Sequence, residues 1–329
     1  MTPHRFLVRV KGKYGFIDAK GKMAIPPTFA LAGSFSEGRA MVAEMDPSQR
    51  DPQTQLYKTK CGFIDLAGNL VIPLLYDQVR DYHEGKAAVR QGKKWGYIDL
   101  TGQFAVPCLY DGAWEYSEGM TFVTNGKKTT CLNANGETVF GIPATGCGGF
   151  SEGLACCEIR NKWHYYNKQG EIVLSLTCTA ASSFHEGKAG ILSKGKAGYI
   201  DTTGNIVIPC QFTAADRFAE GLAAVRVTVP SSRPGPGFGG LYGYVDDSGN
   251  LAIPPAFGLA HCFSEGLAPV LLQGKTRSHG YIDRSGNMVF GPVLCDLASP
   301  FEHGLALVQH GESMGYLNTK GEWLWPIQG

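Results

Sequence analysis

Residues 84–107 read EGKAAVRQGKKWGYIDLTGQFAVP, and this stretch contains the elements that decide the fold. After the Glu-Gly pair, small and β-branched residues alternate at Ala87 and Val89, which is the period of two expected for a strand. A polar Gly-Lys turn then leads to a second strand at Trp95–Asp99. The Asp-x-x-Gly step that follows is typical of a tight turn. It leads into a third strand that we expect to end at Pro107, because proline has no N–H to donate to a ladder.

The same pattern recurs along the whole chain, in nine repeats of about 34 residues. The Asp/Asn-x-x-Gly marker begins at Asp18, Asp65, Asp99, Asn133, Asn167, Asp201, Asp246, Asp283 and Asn318. An aromatic-x-Glu-Gly marker keeps in step with it from Phe35 to Phe263, with a scrambled copy at Phe301. The high glycine content, 44 of 329 residues, follows from the glycines of these turns and of the second strand.

Each repeat is therefore predicted to be a three-stranded antiparallel meander. Its second strand is apolar on both faces, which indicates a central, covered strand. Three short strands cannot bury both faces alone, so neighbouring repeats must stack and share a core. We predict an all-β repeat array that forms an open β superhelix, or solenoid, as a single domain over residues 1–329. A closed, β-propeller-like ring is the alternative, but three-stranded units do not match the usual four-stranded blades.

The composition excludes several classes of partner. The chain has 30 basic and 29 acidic side chains and no polybasic run, so we expect neither nucleic acid nor a membrane surface as partner. The first residues lack a signal-peptide pattern, and no apolar run approaches the length of a membrane span. We expect a cytoplasmic protein. Its ten cysteines form no C-x-x-C pair, and we expect them to be reduced and structural.

The candidate catalytic residues are more consistent with turns than with chemistry. Repeated Asp and Glu side chains could supply paired carboxylates for acid/base work. A catalytic pair is needed once, however, whereas these residues recur at turn positions in nearly every repeat. No Cys/His spacing indicates an activated nucleophile, and no cluster has the ligand pattern of a metal site. We therefore expect a protein that is not an enzyme and has no cofactor or metal.

Insertions distinguish a few of the repeats. Extra residues lengthen the turn between the first and second strands within about 44–59, within 228–240 and near Lys275. All three occupy the same topological loop, so they should project from one edge, and insertions confined to one face often mark a binding face. Surface turns also tolerate growth at little entropic cost, which is the alternative explanation. The candidate partner-binding residues are Asp46, Gln49, Arg50, Tyr57, Arg233, Phe238, Lys275 and Arg277.

The third repeat resembles a known family. Its Trp-Gly-Tyr-Ile-Asp run at 95–99, Gly102, Val106-Pro107 and Ser-Glu-Gly at 117–119 are similar to the WG, or KWG, repeat family. The resemblance covers essentially the whole chain. It departs from the pattern at Thr130 and His164, which replace the glycine of the second strand. The resemblance implies a bacterial repeat array that binds partners and has no shared catalytic residues.

Together these observations predict a non-enzymatic module that binds another protein, as an adaptor, a scaffold or an antidote-like partner. Its contacts would come from the repeat surface and the inserted loops. The alternative is a glycan or cell-wall binding protein, in which aromatic side chains such as Trp95 and Trp163 would form stacking platforms.

Overall fold

The computed structural model describes residues 3–50, 57–144, 146–228, 240–274 and 277–327, and their side chains apart from those of 46–50, 57 and 58. The described chain folds into nine small antiparallel sheets. Within these ranges no helix is long and apolar enough to cross a bilayer. The chain divides into two compact units, the first formed by residues 1–159 and 166–171 and the second by 160–165 and 172–329.

The first sheet has three strands and the next three have four. Their bounds are β1 (Arg5–Val10), β2 (Lys13–Asp18), β3 (Met23–Phe29); β4 (Leu31–Ser36), β5 (Arg39–Arg50), β6 (Tyr57–Ile64), β7 (Leu70–Tyr76); β8 (Gln78–His83), β9 (Lys86–Gln91), β10 (Lys94–Asp99), β11 (Phe104–Tyr110); β12 (Gly112–Ala113), β13 (Met120–Asn125), β14 (Lys128–Asn133), β15 (Thr138–Ile142). In every sheet the strands lie side by side in chain order.

The remaining five sheets each have four strands. Their bounds are β16 (Cys147–Ser151), β17 (Leu154–Ile159), β18 (Lys162–Tyr166), β19 (Ile172–Leu176); β20 (Ala180–Ala181), β21 (Lys188–Ser193), β22 (Lys196–Asp201), β23 (Ile206–Phe212); β24 (Ala214–Ala215), β25 (Ala223–Val227), β26 (Leu241–Val245), β27 (Leu251–Phe257); β28 (Leu259–Ala260), β29 (Leu267–Leu271), β30 (Ser278–Asp283), β31 (Met288–Leu294); β32 (Leu297–Ala298), β33 (Leu305–His310), β34 (Ser313–Asn318), β35 (Trp323–Trp325).

The prediction of three-stranded repeats is wrong for eight of the nine sheets. The segment expected to be a linker pairs with the strand after the Glu-Gly turn, as β8 does with β9 through Gln78↔Arg90 and Tyr82↔Ala87. Polar residues and the short length hid this strand in the sequence. Four-stranded antiparallel sheets are the blades of propeller architecture. The mismatch between three-stranded repeats and four-stranded blades, one of the reasons for preferring the open superhelix, is therefore removed.

The sequence predicted that the third long strand ends at its proline, and this prediction is wrong. β7 continues three residues beyond Pro73, and β11 continues beyond Pro107 in the same way. The strand lies at the edge of its sheet, where a missing N–H interrupts no ladder. At the proline, β11 has two more residues than the facing part of β10 and forms a bulge. Trp95 pairs with Tyr110 and Tyr97 with Val106, so Gly96 alone faces three residues of β11.

The core lies between neighbouring sheets. The second long strand contributes fully buried pairs such as Tyr97 and Ile98, which confirms the predicted central, covered strand. Its aromatic ring packs against the aromatic of the Glu-Gly motif that heads the next repeat; Tyr199 and Phe218 have ring centroids 4.9 Å apart at 67°. Burying two such rings in each contact is a large hydrophobic gain, with a further contribution from the edge-on geometry.

Candidate protein-binding edge

The meander places two kinds of turn at opposite ends of each sheet. The hairpin between the two central strands lies at one end, and the Glu-Gly and Asp-x-x-Gly turns lie at the other. We call the end that carries the hairpins of the first compact unit the hairpin edge. It is formed by the β1–β2, β5–β6, β9–β10 and β13–β14 hairpins. Three of these hairpins close with two-residue turns, after the terminal pairs Val10↔Lys13, Gln91↔Lys94 and Asn125↔Lys128.

Aspartates join the hairpins of successive sheets along this edge. Asp77 follows β7; its Oδ2 accepts from the N–H of Gly92 at 2.6 Å, and its Oδ1 accepts from Lys60 Nζ at 2.7 Å. One sheet further along, the Asp111 carboxylate accepts in the same way from the Gly126 N–H and from Lys94 Nζ. The hydrogen bond from Lys94 is the main reason that the pKa of Asp111 lies below its ordinary value. The edge is therefore held as one surface from β6 to β14.

The opposite edge uses its carboxylates in turns and between sheets. The Asp99 side chain accepts from the N–H of Thr101 and Gln103, and Gly102 has φ +86, which confirms the predicted turn chemistry. The Glu37 carboxylate accepts from the N–H of Glu84 and Gly85 in the next repeat, at 2.8 and 2.7 Å. The same link recurs within the second unit from Glu186 to the backbone of residues 220–221. These carboxylates are structural.

In its described residues, up to 50 and from 57, the first insertion extends the strands β5 and β6 rather than forming an irregular loop. β5 runs twelve residues; its regular pairing with β6 continues through Met45↔Thr59, and after a register shift Arg50 pairs with Tyr57. The two candidate residues Arg50 and Tyr57 are therefore paired across the hairpin, and Asp46 and Gln49 lie on the same strand as Arg50. No sequence signal marked this insertion as β structure, because its Pro, Gln and Asp residues are typical of loops.

The other candidate residues are less fully described. Arg233 and Phe238, in the second insertion, and Lys275, in the third, lie outside the described residues. Arg277 is described, is exposed, and immediately precedes β30 in the second compact unit. Its insertion therefore occupies the β29–β30 hairpin, the position that the sequence predicted.

One Cys/His contact lies close to Arg277 in sequence, but it has the wrong electrostatics for a nucleophile. His279 Nδ1 lies 3.2 Å from Cys295 Sγ, and both side chains are buried. Burial raises the pKa of Cys295 to about 11, and burial followed by repulsion from Arg277 lowers the pKa of His279. Both shifts favour the neutral pair over a thiolate–imidazolium pair, whereas a reactive cysteine needs a lowered pKa.

A disulfide corrects the prediction that all ten cysteines are reduced. Cys147 on β16 and Cys157 on β17 are directly opposite in the antiparallel register, with Cα atoms 4.3 Å apart, and form a disulfide. The sequence could not show this pair, because a separation of ten residues becomes proximity only through the strand register. In the described part of the chain no group of three or more His, Cys, Asp or Glu side chains could hold a metal ion.

The tryptophans proposed as glycan platforms are half-buried. The guanidinium groups of Arg80 and Arg90 lie over the Trp95 ring, 5.6 and 5.9 Å from its centroid. The Trp163 indole N–H donates to the Thr179 carbonyl at 3.4 Å. A sugar-binding platform needs an open ring face, and the two guanidinium groups leave less of the Trp95 face available.

Solved structures resemble this fold at low sequence identity. A crystal structure titled as the eukaryotic initiation factor matches with a TM-score of 0.67 and 11% identity, over 98% of this chain and 95% of that one. Hsv2 from Kluyvelomyces marxianus matches with a TM-score of 0.46, 8% identity and coverages of 76% and 97%. AztD from Citrobacter koseri matches with a TM-score of 0.44, 13% identity and coverages of 98% and 93%. A search of curated proteins found no match.

A family model matches the sequence itself. The family described as WG containing repeat matches residues 14–44, 62–95, 95–128, 165–196, 198–228, 242–275 and 280–312. The longest gap, between residues 128 and 165, contains Thr130 and His164, the two departures from the repeat pattern. The matched segments cover well over half of the chain, so it belongs to the WG containing repeat family.

Proposed function

We propose that this chain is a non-enzymatic protein-binding module that acts through its hairpin turns. The observation that carries the proposal is the extended β5–β6 hairpin. It lengthens only this end of its sheet and places Arg50 opposite Tyr57. Arg and Tyr are enriched at the centres of protein interfaces. The raised pKa of each thiol with a resolved shift, such as Cys131 at about 12 and Cys295 at about 11, supports a role without nucleophilic chemistry.

We also propose that the nine sheets are the blades of a β-propeller, a fold that commonly serves as a scaffold for protein binding. Four-stranded sheets in eight of the nine positions support this arrangement. Small-angle X-ray scattering tests it: a closed ring of 329 residues should have a radius of gyration of roughly 20 Å, the value for a compact domain. A clearly larger radius would instead support the open superhelix.

Shortening the inserted hairpin tests the proposed function. The pair Glu44↔Lys60 corresponds to Gln91↔Lys94, so residues 45–59 can be replaced by Gly-Lys, the turn that closes the β9–β10 hairpin. The core pairs Ala40↔Ile64 and Val42↔Gly62 are unchanged, and we expect a folded protein that no longer retains its partner. The measurement is quantitative mass spectrometry of proteins retained by the two forms from the native host.

A second variant keeps the length of the hairpin and removes its side chains, by replacing residues 45–59 with a Gly/Ser segment of equal length. Loss of the same protein from both variants, with unchanged thermal unfolding, supports binding by the hairpin side chains. Retention of the same proteins by all three forms contradicts a role for this hairpin. The glycan-binding alternative is less favoured, because the Trp95 ring is covered by Arg80 and Arg90.

A further inference from the structure

Lysines are concentrated in the hairpin turns of the first compact unit, although the chain as a whole has a net charge of only +1. Its three two-residue hairpins contain six lysines, within Lys11–Lys13, Lys93–Lys94 and Lys127–Lys128. All lie on the hairpin edge. The opposite edge of the same unit contains the lysines Lys20 and Lys22 as well as the turn carboxylates Asp18, Asp65 and Asp99 and the inter-sheet carboxylates of Glu37, Glu84 and Glu118.

The lysines of the hairpin edge are mostly unneutralised. Lys94 pairs with Asp111 at 2.7 Å, and Asp77 is similarly occupied by Lys60. Five lysines remain exposed and have no ion pair among the described residues: Lys11, Lys13, Lys93, Lys127 and Lys128. The nearby carboxylates of Asp77 and Asp111 already accept from a lysine and from a glycine N–H.

These cations are positioned by rigid backbone. Lys11 and Gly12 have φ of 50° and 79°, as in the tight hairpin turn that follows the right-handed strand twist. Gly92 and Gly126 have φ of 62° and 59° and are held by Asp77 and Asp111. Like charges fixed near one another repel, and an anionic ligand that covers them relieves this repulsion. Because the turns are already ordered, binding sacrifices little backbone entropy.

We propose that the hairpin edge of the first unit binds an acidic protein segment. This inference rests on the proposed protein-binding function and specifies its partner as a run of Asp and Glu residues. A nucleic acid fits less well. The half-buried rings at this edge, Tyr14 and Trp95, already have guanidinium groups of Arg9, Arg80 and Arg90 over them, so bases have little ring surface on which to stack. The turn carboxylates of the opposite edge would also repel a long polyanion, whereas a short acidic segment can contact the lysines of the hairpin edge alone.

A labelled deca-glutamate peptide provides a direct test with the full-length protein. Fluorescence anisotropy should show binding that weakens as salt is raised, because the charges are exposed to solvent. The variant Lys93→Gln/Lys127→Gln should bind roughly five- to tenfold more weakly, as expected for the loss of two exposed charge contacts. Neither side chain forms a hydrogen bond or an ion pair within the part of the chain that the structure describes, so the variant should fold normally.

The matched control is Lys20→Gln/Lys22→Gln. It removes two exposed lysines from the opposite edge of the same unit and changes the net charge equally. The control should bind the peptide as the unmodified protein does. Equal weakening in both variants, or no binding by the unmodified protein, overturns the inference. Tighter binding of a decathymidine oligonucleotide, with the same loss in the Lys93/Lys127 variant, would assign the edge to nucleic acid and also overturn it.

The two proposals can fail separately. A host protein that is retained by the unmodified form and lost on shortening the β5–β6 hairpin, but unaffected by Lys93→Gln/Lys127→Gln, leaves protein binding supported and contradicts the acidic partner. Peptide binding that depends on the two lysines, with no host protein retained by the unmodified form, supports the acidic surface and contradicts the proposed module function.

Discussion

Replacing Gly96 with alanine is expected to destabilise the protein by about 3 kcal/mol, because the new methyl group would meet backbone and not a movable side chain. A Cβ built at Gly96 lies 2.5 Å from the Val106 carbonyl oxygen and 2.7 Å from the Cys108 nitrogen. The bulge at Pro107 brings this backbone over the glycine. Relief would require β11 to move and its pairing with β10 to break. The measurement is the free energy of unfolding from urea titrations.

Gly146→Ala is the matched control. Gly146 is exposed, its φ is not in the left-handed region, and a Cβ there meets no atom within 4 Å. Its free energy of unfolding should change by no more than ~0.5 kcal/mol. If Gly96→Ala were as mild as Gly146→Ala, close backbone approach could not be the reason that glycine occupies this position of the repeat.

The fourth repeat already illustrates this rule. Thr130 occupies the corresponding position on β14, and its partner strand β15 has no bulge there: Thr129↔Ile142, Thr130↔Gly141 and Cys131↔Phe140 follow in regular register. The shift occurs one step later, between Cys131 and Leu132. A side chain is tolerated at Thr130 because the opposing backbone does not fold over it.

Replacing Tyr199 with alanine is expected to cost about 4 kcal/mol, since it removes a fully buried ring and leaves a cavity between two sheets. The ring packs on Phe218, and its hydroxyl donates to the Asp216 carbonyl at 2.6 Å. Tyr199→Phe keeps the ring and loses only this hydrogen bond, so we expect a cost of about 1 to 2 kcal/mol. Phe16 and Phe63 occupy the same position in the first two repeats, which indicates that phenylalanine fits.

Phe104→Ala serves as the control for aromatic truncation. Phe104 is 47% exposed on the edge strand β11, and its loss should cost less than about 1 kcal/mol in the same urea titration. The expected order of destabilisation is Tyr199→Ala, then Tyr199→Phe, then Phe104→Ala. A Tyr199→Ala variant as stable as the Phe104→Ala variant would contradict the role of the buried ring pairs as the main contact between neighbouring sheets.

The sequence was most informative where a local rule suffices. The turns at Asp99 and Gly102 were predictable because a carboxylate that accepts from nearby N–H groups and a glycine with positive φ act within five residues. The strand at Ala87 and Val89 was predictable from its alternation, and the second strand from its apolar residues. Both patterns can be recognised from consecutive residues of the sequence. The position of the first insertion at a hairpin was predictable for the same reason.

The errors arose where strands meet. The short strand β8 has little strand pattern of its own and exists because β9 offers it an unpaired edge. Pro107 was predicted to end β11, but an edge strand loses no ladder hydrogen bond there, so β11 continues to Tyr110. The Cys147–Cys157 disulfide required the register of β16 against β17. Registers and edges depend on the partner strand, which consecutive residues do not describe.

The sequence by itself determined the number of repeats, the positions of their turns and the strand that each repeat buries, because these follow from periodicity and from the backbone preferences of Asp, Gly and β-branched residues. Only the tertiary structure decided that eight of the nine sheets have four strands. It also decided which lysines of the hairpin turns are neutralised: Lys94 pairs with Asp111, whereas Lys93 and Lys127 form no ion pair among the described residues. The physical reason is that strand pairing and sheet stacking bring distant residues together on one surface. The net charge of the chain is a sum over all residues and does not depend on how they are arranged.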